Sequence, residues 1–288
     1  MAHTSFEYVR KFEDVGDVCL PSTYIVVRLD GRGFTKFTKA HDLVKPNDKR
    51  ALDLMNRCGV AVMEEFGEIA LGYGQSDEFS FVFRRDAVVF KRRKAKILSL
   101  LVSLFSSAYV FHWATFFPQT LLQGPPQFDA RIVLYPTDKS MRDYFRWRQA
   151  DCHINNLFNT AFWALVHQGA RTPAEAEAEL SGTLSQDKHE IMFSSFGINY
   201  NNEPAQFRKG SVLRRVMHPV PIPSAVRAEE EAVAKVSATS DASEKHASAS
   251  DLGRSPPAKK TRLKRVIRVF HEDIIQDTFW EEVLGKDA

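Results

Sequence analysis

An α+β fold is predicted for this 288-residue chain from three features of its patterning. Over the first half, short apolar runs and helical periodicities follow the order strand, helix, strand, strand, helix, strand. From about residue 138 the periodicity becomes mostly helical. A small strand pair, near 212–217 and 266–270, then flanks a segment of different composition. The first six elements make the split βαβ, or ferredoxin-like (βαββαβ), pattern, to which the rest adds C-terminal helices.

Each element has a local reason. Tyr24-Ile25-Val26-Val27-Arg28-Leu29 is rich in strand formers and stops at the turn pair Asp30-Gly31. Pro46-Asn47-Asp48 is a helix start, after which Leu52, Met55, Gly59, Val62, Met63 and Phe66 share one face and Gly67 ends the helix. Two strands, near 69–74 and 79–84, meet at a tight turn bearing the adjacent carboxylates Asp77 and Glu78. A long apolar helix is expected at about 88–117, followed by a strand from Ala130 to Tyr135 that Pro136 stops. Asp138 to His167 reads as a long helix. Thr172-Pro173-Ala174-Glu175 caps and starts another, and Ser185 to Phe193 is a third.

Composition narrows the class. Hydrophobic content of 44% and charged content of 26% are ordinary for a globular chain, and a net charge of +3 neither demands nor excludes nucleic acid. Cys19, Cys58 and Cys152 are far apart without metal-binding spacing, so reduced thiols in an intracellular compartment are expected. Met1 to Arg10 contains Glu7 and no apolar run, so no secretory signal is expected. Ile97 to Phe117 carries no formal charge and is long enough to cross a bilayer. Its serines, at 99, 103, 106 and 107, together with His112 and Thr115, favour instead a core helix partly covered by another subunit, with no membrane partner.

The expected organisation is a palm-like catalytic domain at 1–137 and a mostly helical region at 138–223. An insertion at 224–262 and a C-terminal strand and helix at 263–288 complete it. Residues 224–262 lack aromatics and are dominated by Ala, Ser, Glu and Lys, which cannot offset the entropy of ordering, so disorder is expected there. Lys259-Lys260-Thr261-Arg262-Leu263-Lys264-Arg265 suits a nuclear import signal, an RNA contact or a solvated charge run. A cytoplasmic protein with nuclear access is expected, and a mitochondrial one stays open.

The chemistry is written at two strand ends. A carboxylate closing one strand, Asp30, and another on a neighbouring hairpin, Asp77, are how a protein sets two divalent cations against a nucleoside triphosphate. A metal-dependent nucleotidyl transferase is the leading reading. Glu78 either assists the metals or points across the pleat, because neighbours in a strand face opposite sides.

Four motifs occur in order: Asp30-Gly31-Arg32-Gly33-Phe34, Lys45-Pro46-Asn47-Asp48, Gly74-Gln75-Ser76-Asp77-Glu78, and His153-Ile154-Asn155-Asn156-Leu157-Phe158-Asn159. Together they closely resemble the tRNA(His) guanylyltransferase family, from Phe6 to about Gly210 and again near Ile267 to Trp280. The resemblance implies a polymerase-type palm, assembled as a homotetramer, acting on tRNA(His) with ATP and GTP as substrates and two Mg²⁺ ions. ATP would adenylylate the tRNA 5′-phosphate, the GTP 3′-hydroxyl would displace AMP, and pyrophosphate would then be removed.

On that resemblance Asp30, the Gly31 carbonyl and Asp77 hold metal, and Glu78 joins them as a catalytic residue. Arg32, Gly33, Phe34 and Thr35 form a triphosphate loop in which Phe34 could stack on a purine. Ser76 offers a hydroxyl to a phosphate oxygen, and Lys45, Asn47, Arg93 and Lys96 are candidates for a second triphosphate, Arg93 and Lys96 reading equally as a solvated basic helix start. His153, Asn156 and Lys188 contact tRNA or phosphate, and Arg142, Arg146, Arg148, Arg208 and Lys209 spread over tRNA. Gly33 and Thr35 stand where the family often has Asn and His, and Phe79 and Phe158 where Tyr is frequent. Alternatives are a template-directed 3′–5′ tRNA repair polymerase and, further off, a palm-fold nucleotide cyclase or a non-catalytic RNA-binding protein.

Overall fold

The computed structural model describes Val9, residues 16–221 and residues 261–284. Six strands form one sheet in the order β4-β1-β3-β2-β5-β6: β1 (Tyr24–Gly31), β2 (Ile69–Gln75), β3 (Glu78–Phe83), β4 (Phe128–Tyr135), β5 (Ser211–Pro221) and β6 (Thr261–Phe270). The pairings of β1 with β3 and β4, and of β2 with β3 and β5, are antiparallel. The chain is thus mixed α and β with an antiparallel sheet, as the element order predicts.

Eight α-helices are described: α1 (Phe34–Ala40), α2 (Lys49–Glu65), α3 (Lys94–Phe116), α4 (Asp138–His167), α5 (Pro173–Leu180), α6 (Ser185–Phe196), α7 (Ala205–Lys209) and α8 (Asp277–Leu284). Alternation along the strands sorts the core into two faces. Ile25, Val27 and Leu29 of β1 and Phe79, Phe81 and Phe83 of β3 pack with α2 and α3, whereas Tyr24, Val26 and Val82 pack with Tyr144 and Phe145 of α4 and Trp280 of α8. Full burial of each such side chain is worth about 1.5–3 kcal/mol, so pattern and register reinforce one another. A third cluster joins the far half of α4 to α5, α6 and Tyr200.

Two expectations at the helices are corrected. Residues 31–35 are not an open loop, because Gly33 takes a left-handed backbone (φ 71°) that turns the chain straight into α1. The helix expected at 88–117 is broken at its start: Phe90, Lys91 and Arg92 all have positive φ, and α3 begins only at Lys94. Arg92 explains the break. Its buried guanidinium donates to the carbonyls of Cys19, Leu20, Thr23 and Ala87, tying the segment before β1 to the connection after β3.

Helix α3 is long and apolar enough to cross a membrane. It lies against the sheet through Ile97, Leu101, Phe105, Tyr109 and Trp113, and the strands before and after it, β3 and β4, both pair with β1. Both ends of α3 therefore return to one sheet. Leu100, Val110 and Phe111 remain exposed on its outer side.

Strands β5 and β6 are longer than their apolar cores suggested. Thr261 and Arg262 belong to β6, while the remainder of the insertion expected at 224–262 lies outside the described residues. The three cysteines are free and buried.

Candidate active site

The end of β1 and the tip of the β2–β3 hairpin meet. Gln75 pairs with Glu78, leaving Ser76 and Asp77 as a two-residue turn in which Ser76 takes the positive φ (48°). The Gly31 amide donates to the Asp77 carbonyl at 3.1 Å, which locks the tip onto the strand end. A Cβ at Gly31 would lie 2.7 Å from Asp77 Oδ2 and 2.4 Å from Cδ2 of Phe34. Only glycine lets the carboxylate come this close to the backbone.

Burial pushes the Asp77 carboxyl above its ordinary range. Hydrogen bonds from its own amide and from the Ser76 hydroxyl, 3.1 Å away, oppose the shift, and the charge of Asp30 adds to it. A desolvated carboxylate with a second acidic residue, Asp30, at the adjoining strand end is an electrostatic cost that a cation would relieve. Among the described residues no three His, Cys, Asp or Glu side chains converge as a metal cluster. A cation here must therefore complete its shell with backbone, water or phosphate oxygens, which is the habit of Mg²⁺. The donors present, Asp30, Asp77 and the Gly31 carbonyl, are all hard oxygens and fit that ion.

Glu78 lies directly opposite Asp30 across the β1–β3 pair, and Asp129 lies opposite Asp30 across β1–β4. Three acidic residues thus stand abreast, an arrangement that needs cations nearby. Arg28 and Arg131 supply them from the next matching position, two residues along. Glu78 itself does not join Asp77: its Oε2 is held by Arg28 at 2.7 Å and by Arg148 at 2.9 Å. Burial raises its carboxyl, and the two arginines pull the other way.

Beside this point is a cavity of about 270 Å³. It is walled by α1, the loop before α2, the start of α2, the hairpin tip, Tyr109 of α3, and Asn159 and Trp163 of α4. With each water occupying about 30 Å³, the space accepts a heterocyclic base. Its lining mixes aromatic and aliphatic side chains (Phe34, Leu43, Leu52, Met55, Tyr109, Trp163) with polar ones (Thr38, Lys45, Asn47, Ser76, Asp77, Asn159), which suits a ligand with both an apolar ring and polar groups.

Of the residues singled out in sequence, Phe34, Thr35, Lys45, Asn47, Ser76 and Asp77 line this cavity, whereas Arg32 and Gly33 are exposed and do not. Phe34 is 8% exposed and packs on Phe37 and Phe128, each 5.0 Å between ring centroids. Lys45 Nζ donates to Thr38 Oγ1 at 3.1 Å. Asn156 reaches the cavity indirectly through Asn47, and its amide also donates to Tyr200 Oη at 3.0 Å. His153 stacks edgewise on Tyr200, and desolvation, with His189 and Arg208, holds its imidazole below the ordinary value. Lys188 is engaged away from the cavity, donating to the carbonyl and hydroxyl of Thr183.

Tyr109 and Trp163 went unread in sequence because aromatic residues in apolar helices pass as core. The signal that could have found Trp163 is its stripe with Asn156 and Asn159, at steps of three and four along α4. Asp129 was missed because its strand reads clearly only from Ala130.

The tRNAHis guanylyltransferase family model matches residues 6–136, and the Thg1 C terminal domain model matches residues 139–276. A tRNA(His) guanylyltransferase of Neurospora crassa is 50% identical over 283 residues, covering 98% of this chain and 94% of its own. A probable tRNA(His) guanylyltransferase of Mus musculus is 53% identical over 241 residues, covering 82% and 80%. The crystal structure of the Saccharomyces cerevisiae enzyme superposes with a TM-score of 0.70 at 45% identity, covering 77% of this chain and 99% of that one. A bacterial guanylyltransferase-like protein in complex with ATP shares the fold, with a TM-score of 0.61 at 23% identity over 72% of this chain and 86% of its own.

Proposed function

The chain belongs to the tRNA(His) guanylyltransferase family, and on that premise we propose that it adds a guanosine to the 5′ end of tRNA(His) at the Asp30–Asp77 end of the sheet. The observation that carries the assignment to this place is the Asp77 carboxylate, desolvated, pressed against the glycine that follows Asp30, and lining the cavity. The sheet order β4-β1-β3-β2 supports a ferredoxin-like, polymerase-type palm.

In this reading the cavity holds the nucleotide base, with Lys45 and Asn47 at its polar wall and Ser76 at the hairpin tip bonding the Asp77 carboxylate. Asp30, Asp77 and the Gly31 carbonyl would hold two Mg²⁺ ions. When bound, these neutralise phosphate charge and lower the pKa of the attacking hydroxyl. The protein's own work is positioning: the Gly31–Asp77 backbone bond fixes the tip beside the strand end that carries Asp30. Activation by ATP followed by attack of the GTP 3′-hydroxyl makes the same two carboxylates serve successive phosphoryl transfers. The exposed Leu100, Val110 and Phe111 on α3 suit burial in a homotetramer.

Purified protein incubated with tRNA(His), Mg²⁺, ATP and labelled GTP tests the proposal. Labelled tRNA is expected from the wild-type chain, and Asp30→Ala and Asp77→Ala are expected to abolish it. Wild-type labelling in both variants overturns the site.

A further inference from the structure

Arg148 lies outside the cavity, yet it is 3% exposed and sits at the hub of the charges behind Asp30. We propose that Arg148 is a positioning residue which, by anchoring Glu78, sets how firmly Arg28 holds the carboxylate of Asp30. The inference rests on the reading that Asp30 and Asp77 hold divalent cations.

The connections run through single atoms. Arg148 Nη1 donates to Glu78 Oε2 at 2.9 Å and stands 3.4 Å from Asp151 Oδ2. That same Glu78 oxygen lies 2.7 Å from Arg28 Nη2. Arg28 Nη2 in turn donates to Asp30 Oδ2 at 2.9 Å. One oxygen therefore serves two guanidinium groups, and one nitrogen serves two carboxylates.

The set is not saturated. Glu78 Oε1 and the Nε atoms of Arg28 and Arg148 are buried without a hydrogen-bond partner. An isolated Arg–carboxylate pair would close into a two-bond fork. The forks stay open because the charges are divided: Arg148 takes part of Glu78, which leaves Arg28 divided between Glu78 and Asp30. Asp30 is accordingly held through one oxygen, Oδ2, by a guanidinium that it shares with Glu78.

Sharing of this kind makes a prediction of sign. Without the charge of Arg148, Glu78 draws Arg28 into a full fork and releases Asp30, and the region becomes more negative by one charge. A dication then binds more tightly but to a displaced ligand. With Glu78 neutral as well, Arg28 belongs to Asp30 alone and competes with the dication, which binds more weakly. A residue that only supports the fold would not move metal affinity in opposite directions.

The test measures Mn²⁺ binding to full-length protein by the electron-paramagnetic resonance of free Mn²⁺, beside thermal melting and guanosine transfer. Asp30→Asn is expected to lose Mn²⁺ binding. Should it bind as the wild type does, the metal reading fails and this inference with it. Arg148→Gln is expected to bind Mn²⁺ about tenfold more tightly while transferring guanosine more slowly, and Glu78→Gln/Arg148→Gln about tenfold more weakly, since moving one unit charge near a dication is worth at least that factor. If Arg148→Gln alone does not fold, the double variant, in which the buried Glu78 charge is removed with that of Arg148 and the half-exposed Asp151 keeps the Gln75 amide, decides by whether its affinity falls. With Asp30→Asn inactive in binding, unchanged affinity in the Arg148 variants, or shifts of the same sign, overturn the role of Arg148.

Discussion

Asn47 Nδ2 donates to Asn156 Oδ1 at 2.8 Å, joining the loop before α2 to the middle of α4 across 109 residues of chain. The bond ties a cavity-lining residue to a helix that otherwise reaches the cavity through Asn159 and Trp163. It also makes Asn156 a bridge, because its amide satisfies the buried hydroxyl of Tyr200.

Asn156→Ala should therefore weaken nucleotide binding more than the chemical step. A rise in KM for GTP with a smaller change in kcat is expected in steady-state assays. Leaving the Tyr200 hydroxyl short of its donor should cost about 1–3 kcal/mol of stability, measured by urea unfolding.

Asp77 gives a pH signature in metal-free buffer. Its folded-state carboxyl is raised, so folding retains a proton that the unfolded chain releases. That contribution is complete below the ordinary value of about 3.9 and disappears as pH climbs through the folded value. Asp77→Asn lacks it. The melting temperature of the variant should pull ahead of wild type as pH rises from 3 to 7, and then level off. Mg²⁺ should stabilise the wild type and not the variant.

Gly31→Ala should fold and fail. The added methyl meets the packed ring of Phe34 and the Asp77 carboxylate, and of the two the terminal carboxylate is the easier to displace. A displacement of about 1 Å at the reacting centre costs on the order of a hundredfold in kcat. Single-turnover transfer with saturating GTP measures it.

Arg92→Leu should destabilise the chain by about 3–5 kcal/mol, because carbonyls of Cys19, Leu20, Thr23 and Ala87 lose a charged donor at once. A shift in the urea midpoint without a change of slope would report it.

Leu100→Glu combined with Phe111→Glu should split the assembly expected at α3. Sedimentation velocity is expected to show a smaller species than the wild type. Identical sedimentation would mean that this face is not the contact.

The amino-acid sequence alone determined the order of the elements, the two strand ends that carry Asp30 and Asp77, and the motif set of the family. These are legible because periods of two and 3.6 residues, turn pairs and helix caps act within a few residues. Tertiary structure decided what those signals leave open. Arg148 meets Glu78 from 70 residues away, the turn at Gly33 leads into a helix and not a loop, and Arg92 breaks the expected long helix because distant carbonyls need its guanidinium. The cavity wall likewise draws Tyr109 and Trp163 from helices whose patterning says only that they are buried. Which buried groups face one another depends on how sheet and helices pack, and local periodicity carries no record of that.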